Sequence, residues 1–187
     1  MPHNADRLDM SVTFQPVNIA VMTVSDTRTE ADDKSGSLLV SRIEEDGHVL
    51  ADRAIITDDV PWIIARLREW VESPQVDVVV TTGGTGLTGR DSTPEAFAAI
   101  VEKDIPGFGE LFRMLSFEKI GTSTVQSRAL AGVAGGTYLF ALPGSTSACK
   151  DGWDDILRYQ LDIRHRPCNF VEIMPRLNES ATTRRTG

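Results

Sequence analysis

The chain has 187 residues, 41% apolar and 25% charged, with a formal net charge of -8; that length suits one domain with a substantial core, and the ratio is ordinary for a soluble globular protein. The acidity, with no basic stripe interleaved with aromatics, argues against a nucleic-acid partner. Two cysteines, Cys149 and Cys168, without CxxC spacing exclude a disulfide framework, and no apolar run approaches the roughly 18 residues of a membrane span, so the reading is a cytoplasmic chain whose thiols are buried filler.

Residues 1–16 carry acids, no apolar core run and no cleavage-like site, and are read as a flexible arm rather than a signal peptide. Residues 17–24 form an apolar, β-branched run, a buried strand ending at Ser25-Asp26-Thr27-Arg28. A helix is expected after the loop 32–36, with Leu38, Leu39 and Ile43 inward and Gly47 as its stop. Residues 48–56 are a second strand, ending at Thr57-Asp58-Asp59. Pro61 opens a helix in which Ile63, Ile64, Leu67, Trp70 and Val71 recur at helical spacing. The third strand, 76–82, runs into a glycine loop, and Thr93 before Pro94, or Ser92 with Glu95, caps the helix beyond it. Helical segments follow at 96–101 and 108–117, with a short helix at 124–130. Residues 131–134 and 137–142 make a hairpin across Gly135-Gly136. The loop Pro143-Gly144-Ser145-Thr146-Ser147 leads into a helix at 148–163, and 178–187 is a frayed polar tail.

Strands alternating with helices give an α/β fold whose sheet is mostly parallel, covered on both faces, with the hairpin as an antiparallel element. Residues 17–177 are read as its single domain. In such sheets ligands bind beyond the carboxyl ends of the strands. That rule gathers the loops 25–28, 57–59, 83–91 and 143–147 on one edge.

The segment Thr81-Thr82-Gly83-Gly84-Thr85-Gly86 is the most specific. A strand, a glycine-rich turn and a helix start direct backbone N–H groups at one point, which suits a phosphate, and Asp91 adds a carboxylate for a divalent cation. Gly84-x-Gly86-x-x-Gly89 matches the dinucleotide fingerprint formally, yet no strand with a ribose-binding acid follows about 20 residues on. No Gly-Lys-Ser or Gly-Lys-Thr supports a P-loop. An ordinary tight turn is the plain alternative. Ser25, Asp26 and Arg28 are candidates for phosphate and ring contacts or else cap their own loop. Ser127-Arg128 either reaches substrate or forms an interface ion pair. His3, His48 and His165 lack metal spacing and are read as surface residues; Trp62, Trp70 and Trp153 are read as packing or interface residues.

Taken together, Val24-Ser25-Asp26-Thr27-Arg28, Asp33-Lys34-Ser35-Gly36, the glycine loop, Arg90-Asp91-Ser92-Thr93-Pro94-Glu95, Pro106-Gly107-Phe108-Gly109-Glu110 and Leu142-Pro143-Gly144-Ser145 resemble the MogA/MoaB family of molybdenum cofactor biosynthesis proteins. The segments 112–118, 120–124, 126–129 and 166–170 resemble its MoaB branch. The resemblance covers about residues 17–177. It implies a three-layer α/β/α fold, a homotrimer or homohexamer, and work alongside other proteins of that pathway. It also implies an activity, Mg²⁺- and ATP-dependent adenylylation of molybdopterin, with two important aspartates at Asp58, beside Asp59, and Asp91. By chemistry these would hold Mg²⁺, because a phosphate monoester is already mostly a dianion at pH 7 and needs no base. On this reading Gly83, Gly84, Thr85 and Gly86 bind phosphate, and Pro143, Gly144 and Ser145 form a second anion or pterin contact ahead of a helix. A molybdopterin carrier without transferase activity is the alternative.

Overall fold

A computed structural model describes residues 7–179. Six strands form one sheet in the order β2-β1-β3-β6-β5-β4. They are β1 (Asn18–Val24), β2 (Val49–Ile56), β3 (Val78–Thr82), β4 (Lys103–Asp104), β5 (Leu130–Ala134) and β6 (Thr137–Leu142). The pairs β1–β2, β1–β3 and β3–β6 are parallel; β5–β6 and β4–β5 are antiparallel. The expected hairpin is present and begins one residue earlier, and the two-residue edge strand β4 is an addition.

Side-chain alternation builds the three layers. Ile19, Val21, Val78, Val80, Phe140 and Leu142 face one way, onto Leu39 and Ile43 of α1 (Lys34–Glu45), Phe108 and Phe112 of α4 (Pro106–Ile120) and Cys149 of α5 (Thr146–Gly152). Ala20, Met22, Val79, Leu139 and Ala141 face the other way, onto Ile63, Leu67 and Trp70 of α2 (Val60–Glu72) and Phe97 of α3 (Thr93–Ala98). The inner strands β1, β3 and β6 are therefore apolar on both faces, as parallel strands between helices must be.

Helix α1 starts inside the segment expected to be a loop. Its N-cap is Asp33, buried, which accepts from the Gly36 N–H at 2.9 Å and from the Thr23 hydroxyl at 2.7 Å and pairs with Arg53. Residues 121–126 form a 3₁₀ turn, so the helix expected at 124–130 is reduced to that turn's end: 127–129 are irregular, and Leu130 already pairs with Ala141 as the first residue of β5. The helix expected at 148–163 is broken: α5 passes into a π-helical turn at Trp153–Leu157 and a short α6 (Arg158–Gln160). A last short helix, α7 (Phe170–Ile173), has Asn169 as its N-cap.

His48 and His165 are buried, contrary to the surface reading. His48 accepts the Val17 N–H on Nδ1 and lies 5.2 Å from the Phe14 ring and 6.3 Å from that of Trp153. His165 bridges Leu8 and packs on Tyr159. The covering segment is the described part of the expected arm: Asp9 N–H donates to the Arg164 carbonyl, and Arg166 N–H to that of Arg7. Cys149 is buried, Cys168 and Trp62 are exposed, and Trp70 and Trp153 lie in the core. His3, residues 1–6 and the tail from 180 onward lie outside the described residues. Among the described residues no helix is long and apolar enough to cross a membrane.

Candidate functional site

Because β1, β2, β3 and β6 run parallel, their carboxyl ends share one edge, and the loops after them enclose a cavity of about 560 Å³. Every residue singled out there lines it: Ser25, Asp26 and Arg28 after β1, Asp58 after β2, the turn Gly83, Gly84, Thr85, Gly86 with Asp91 after β3, and Pro143, Gly144 and Ser145 after β6. Asp59 does not; its carbonyl accepts the Trp62 and Ile63 N–H groups and starts α2.

The turn is possible only with glycine. Gly83 has φ 99°, and a Cβ on it would lie 2.2 Å from the Val24 carbonyl oxygen. Gly84 has φ 65°, and a Cβ there would meet Thr93 Oγ1 at 2.4 Å and Asp58 Oδ2 at 2.7 Å. The absent side chain thus lets Asp58 close on the turn. Not every amide of the turn is free. Gly83 N–H donates to the Leu142 carbonyl at 3.0 Å, and Gly86 N–H serves Asp91, which leaves Gly84 and Thr85 as the open donors. The Thr82 hydroxyl donates to the Pro143 carbonyl and accepts from the Cys149 thiol, tying β3 to the β6 loop instead of facing substrate.

The three carboxylates differ in their surroundings. Asp58 Oδ1 accepts from the Ser92 N–H at 3.0 Å and hydroxyl at 2.6 Å, while Oδ2 makes no hydrogen bond to the described residues. Asp91 Oδ2 accepts from the Thr88 N–H at 2.8 Å and hydroxyl at 2.7 Å. Burial pushes the Asp91 carboxyl up, but the Thr88 and Gly86 hydrogen bonds and nearby Arg128 outweigh it and hold the group below the ordinary carboxylate value. Asp91 is therefore an anion at neutral pH. Asp26 forms a two-pronged pair with Arg90, at 2.9 Å on each arm, and accepts the Asp58 N–H at 3.0 Å. It joins three loops rather than offering a free acceptor.

The remaining candidates also serve their own loops. Ser25 Oγ accepts from the Thr27 and Arg28 N–H groups, and Arg28 Nη1 donates to the Asp32 carbonyl. Ser145 is the N-cap of α5 and accepts the Ala148 N–H at 3.2 Å. Neither Ser92 nor Thr93 caps α3 with its side chain; their hydroxyls go to Asp58 and to the Gly83 carbonyl, so the expected cap residues brace the turn.

Among the described residues no three His, Cys, Asp or Glu side chains cluster as a metal cage. Two carboxylates lining one cavity, Asp58 with its Oδ2 unpaired and Asp91 held as an anion, still fit Mg²⁺, which keeps several waters and takes its other ligands from substrate phosphates. Asp58 and Asp91 are the residues that would hold it.

The sequence pattern of a probable molybdopterin binding domain matches residues 20–163. The chain is 52% identical over 161 residues to molybdenum cofactor biosynthesis protein B of Escherichia coli K12, covering 86% of this chain and 95% of that protein. The chain belongs to the MogA/MoaB family of molybdenum cofactor biosynthesis proteins. Within the family the likeness is to MoaB. A crystal structure of molybdenum cofactor biosynthesis protein B superposes with a TM-score of 0.77 at 42% identity, over 79% of this chain and 92% of the other. The tungsten cofactor synthesizing protein MoaB of Pyrococcus furiosus gives 0.70 at 38% identity, over 76% and 91%.

Sequence reasoning left Arg128 undecided, and the MoaB-like segment that carries it has a definite place. Its N–H donates to the Thr85 carbonyl, Nε to the Gly86 carbonyl at 2.8 Å and Nη2 to the Asp91 carbonyl at 2.9 Å, and Nη1 pairs with Glu95. One side chain therefore grips both ends of the 85–91 loop. The ion pair with Glu95 lies within the chain. Arg128→Ala should lower stability by about 2 kcal/mol, since two partly buried carbonyls lose a charged donor. It should also cut kcat/KM by roughly a hundredfold through a displaced Asp91. Thermal melts and steady-state kinetics measure the two effects.

Proposed function

We propose that this chain adenylylates molybdopterin with Mg²⁺-ATP, within molybdenum cofactor biosynthesis, the pathway of its family. The observation that carries this reading is the meeting of Asp58, Asp91 and the open amides of Gly84 and Thr85 in one cavity. A phosphate cradle beside two carboxylates suits Mg²⁺-assisted transfer of a phosphoryl or nucleotidyl group, and the family supplies the pterin as acceptor.

In the reaction, an oxygen of the terminal phosphate of molybdopterin forms a bond to the α-phosphorus of ATP. The bond from that phosphorus to the bridging oxygen breaks, and pyrophosphate leaves. The attacking phosphate has a second pKa near 6, so no residue is required to take its proton. The chain's task is to bring two polyanions together despite a net charge of -8. Gly84 and Thr85 N–H groups receive phosphate oxygens, and Arg28 offsets charge at the rim. Bound Mg²⁺ would screen the phosphates and stabilise the pyrophosphate as it departs. Asp58 and Asp91, fixed by Ser92 and Thr88, set where that charge sits.

The test is incubation of the purified protein with molybdopterin, ATP and Mg²⁺. Adenylylated pterin and stoichiometric pyrophosphate are expected. Tight pterin binding with no pyrophosphate would instead make the protein a carrier.

We propose self-association on α4. Phe108 and Phe112 face the core, yet Met114, Phe117 and Ile120 are 47%, 56% and 56% exposed on its outer side, with Val125 beyond at 80%. A cluster of exposed large apolar residues on one helix is normally covered. A second copy is the occupant, giving a homotrimer or homohexamer. Light scattering should give a mass three or six times 20.5 kDa, and Phe117→Lys with Met114→Lys should reduce it to a monomer.

A further inference from the structure

Residues 7–17 run to the amino ends of β1 and β2, the edge opposite the substrate cavity, and help to close a separate cavity of about 300 Å³ that His48 lines. The segment is thinly held. Most of it is exposed or half-buried, and two backbone bonds, Asp9 N–H to the Arg164 carbonyl and Arg166 N–H to the Arg7 carbonyl, fasten its beginning. Beyond these it rests on two buried imidazoles. His48 Nδ1 accepts the Val17 N–H at 3.3 Å, and the Phe14 ring lies against it. His165 pairs with Leu8 through the backbone, and its Nδ1 is a buried atom with no hydrogen-bond partner among the described residues. A ring nitrogen accepts only while it carries no proton, so His48 holds the segment as a neutral ring. A charged His165 would bury an N–H with no acceptor.

The acids facing these rings are already engaged. Around His48 stand Asp46, which accepts from Trp153 Nε1 and Arg158 Nη2, and Asp162, which Arg164 grips. His165 faces the same Asp162, the Tyr159 ring and, from the segment itself, the Arg7 cation. Burial pushes both imidazoles below their ordinary value, and Arg7 adds to this at His165; the attraction of Asp46 and Asp162 does not overcome it. We infer that residues 7–17 are an acid-released strap, docked while His48 and His165 are neutral and freed when they take up protons. A histidine that titrates low when docked binds more protons when released. The docked state is therefore at full strength above about pH 6.5 and weakens as pH falls below it. Asp9 takes no part in that window, because its bonds to Ser11 and the nearby Arg166 hold its carboxyl below the ordinary value. Release bares the His48 and Trp153 rings and leaves the carboxyl edge of the sheet intact.

Hydrogen–deuterium exchange of the full chain tests the strap, read as the protection of the 8–17 amides over their intrinsic rate at each pH. Each histidine that takes up a proton only on release lowers protection about tenfold between about pH 7.5 and about pH 5.5, so the pair should lower it by about a hundredfold, while the amides of β3 keep theirs. In the variant His48→Asn with His165→Leu the fall should shrink to within about threefold, because an asparagine carbonyl accepts the Val17 N–H without titrating. Three outcomes overturn the inference: strap protection that does not change with pH in the wild type, protection that falls in step with β3, and an equal fall in the double variant. Should the double variant fail to fold, His48→Asn alone decides. A fall about tenfold smaller than in the wild type supports the strap, and an undiminished fall overturns it.

Discussion

Asp91→Asn should remove turnover by about three decades, or roughly 4 kcal/mol of transition-state stabilisation, and leave molybdopterin affinity within a few fold. The asymmetry follows from the two jobs of the side chain. Its Oδ2 accepts the N–H and hydroxyl of Thr88 at 2.8 and 2.7 Å, which shapes the loop, and an asparagine carbonyl can accept the same bonds. The charge is what asparagine lacks. Hydrogen bonding holds that carboxyl below the ordinary value against the opposing effect of burial, so a full anion faces the cavity at neutral pH. Without it a bound Mg²⁺ loses a ligand and the departing pyrophosphate loses its counter-charge. Pyrophosphate release and a fluorescence titration with molybdopterin measure the two quantities independently. Normal turnover in the variant would remove Asp91 from the metal site.

Gly83→Ala should cost about 3–5 kcal/mol of stability, a large share of the roughly 5–15 kcal/mol of an ordinary domain. Two effects add. A φ of 99° is unfavourable for any residue with a Cβ. That Cβ would also stand 2.2 Å from the Val24 carbonyl oxygen, and backbone cannot swing aside as a side chain does. Relieving the contact means parting the β1 end from the β3 end, where Gly83 N–H also holds Leu142 of β6. A urea midpoint lowered without a change in slope is the expected signature. Gly89→Ala is the matched control: its Cβ would meet nothing within 4 Å, and stability should shift by less than about 0.5 kcal/mol.

Much of the site was legible because its parts are local in sequence. The apolar, β-branched runs 17–24 and 76–82 could only be buried strands. Parallel strands end together, so the acids, serines and glycines after them had to converge. That argument placed the loop 57–59, the turn 83–86 and Asp91 on one edge without any coordinate, and the family resemblance then singled out Asp58 beside Asp59. The reading erred on helix ends, giving 108–117 for a helix that runs Pro106–Ile120. It also missed every residue whose role depends on a distant partner. His48 reads as a polar surface position until Phe14 is laid over it. Ser92 and Thr93 read as caps until Asp58 and Gly83 are brought beside them. Arg128 lies 42 residues from Gly86, and nothing in its neighbours announces that it holds that carbonyl.

The sequence by itself determined the layer order of this protein, the edge on which its loops gather and the family to which it belongs. Those follow from hydrophobic periodicity and from short motifs, which chain-local sterics and burial enforce. Only the tertiary structure decided which amides stay open, which of two adjacent aspartates reaches the cavity and what Arg128 grips. Hydrogen bonds and ion pairs are satisfied by whichever groups the folded chain brings within about 3 Å, and no spacing along the sequence encodes that.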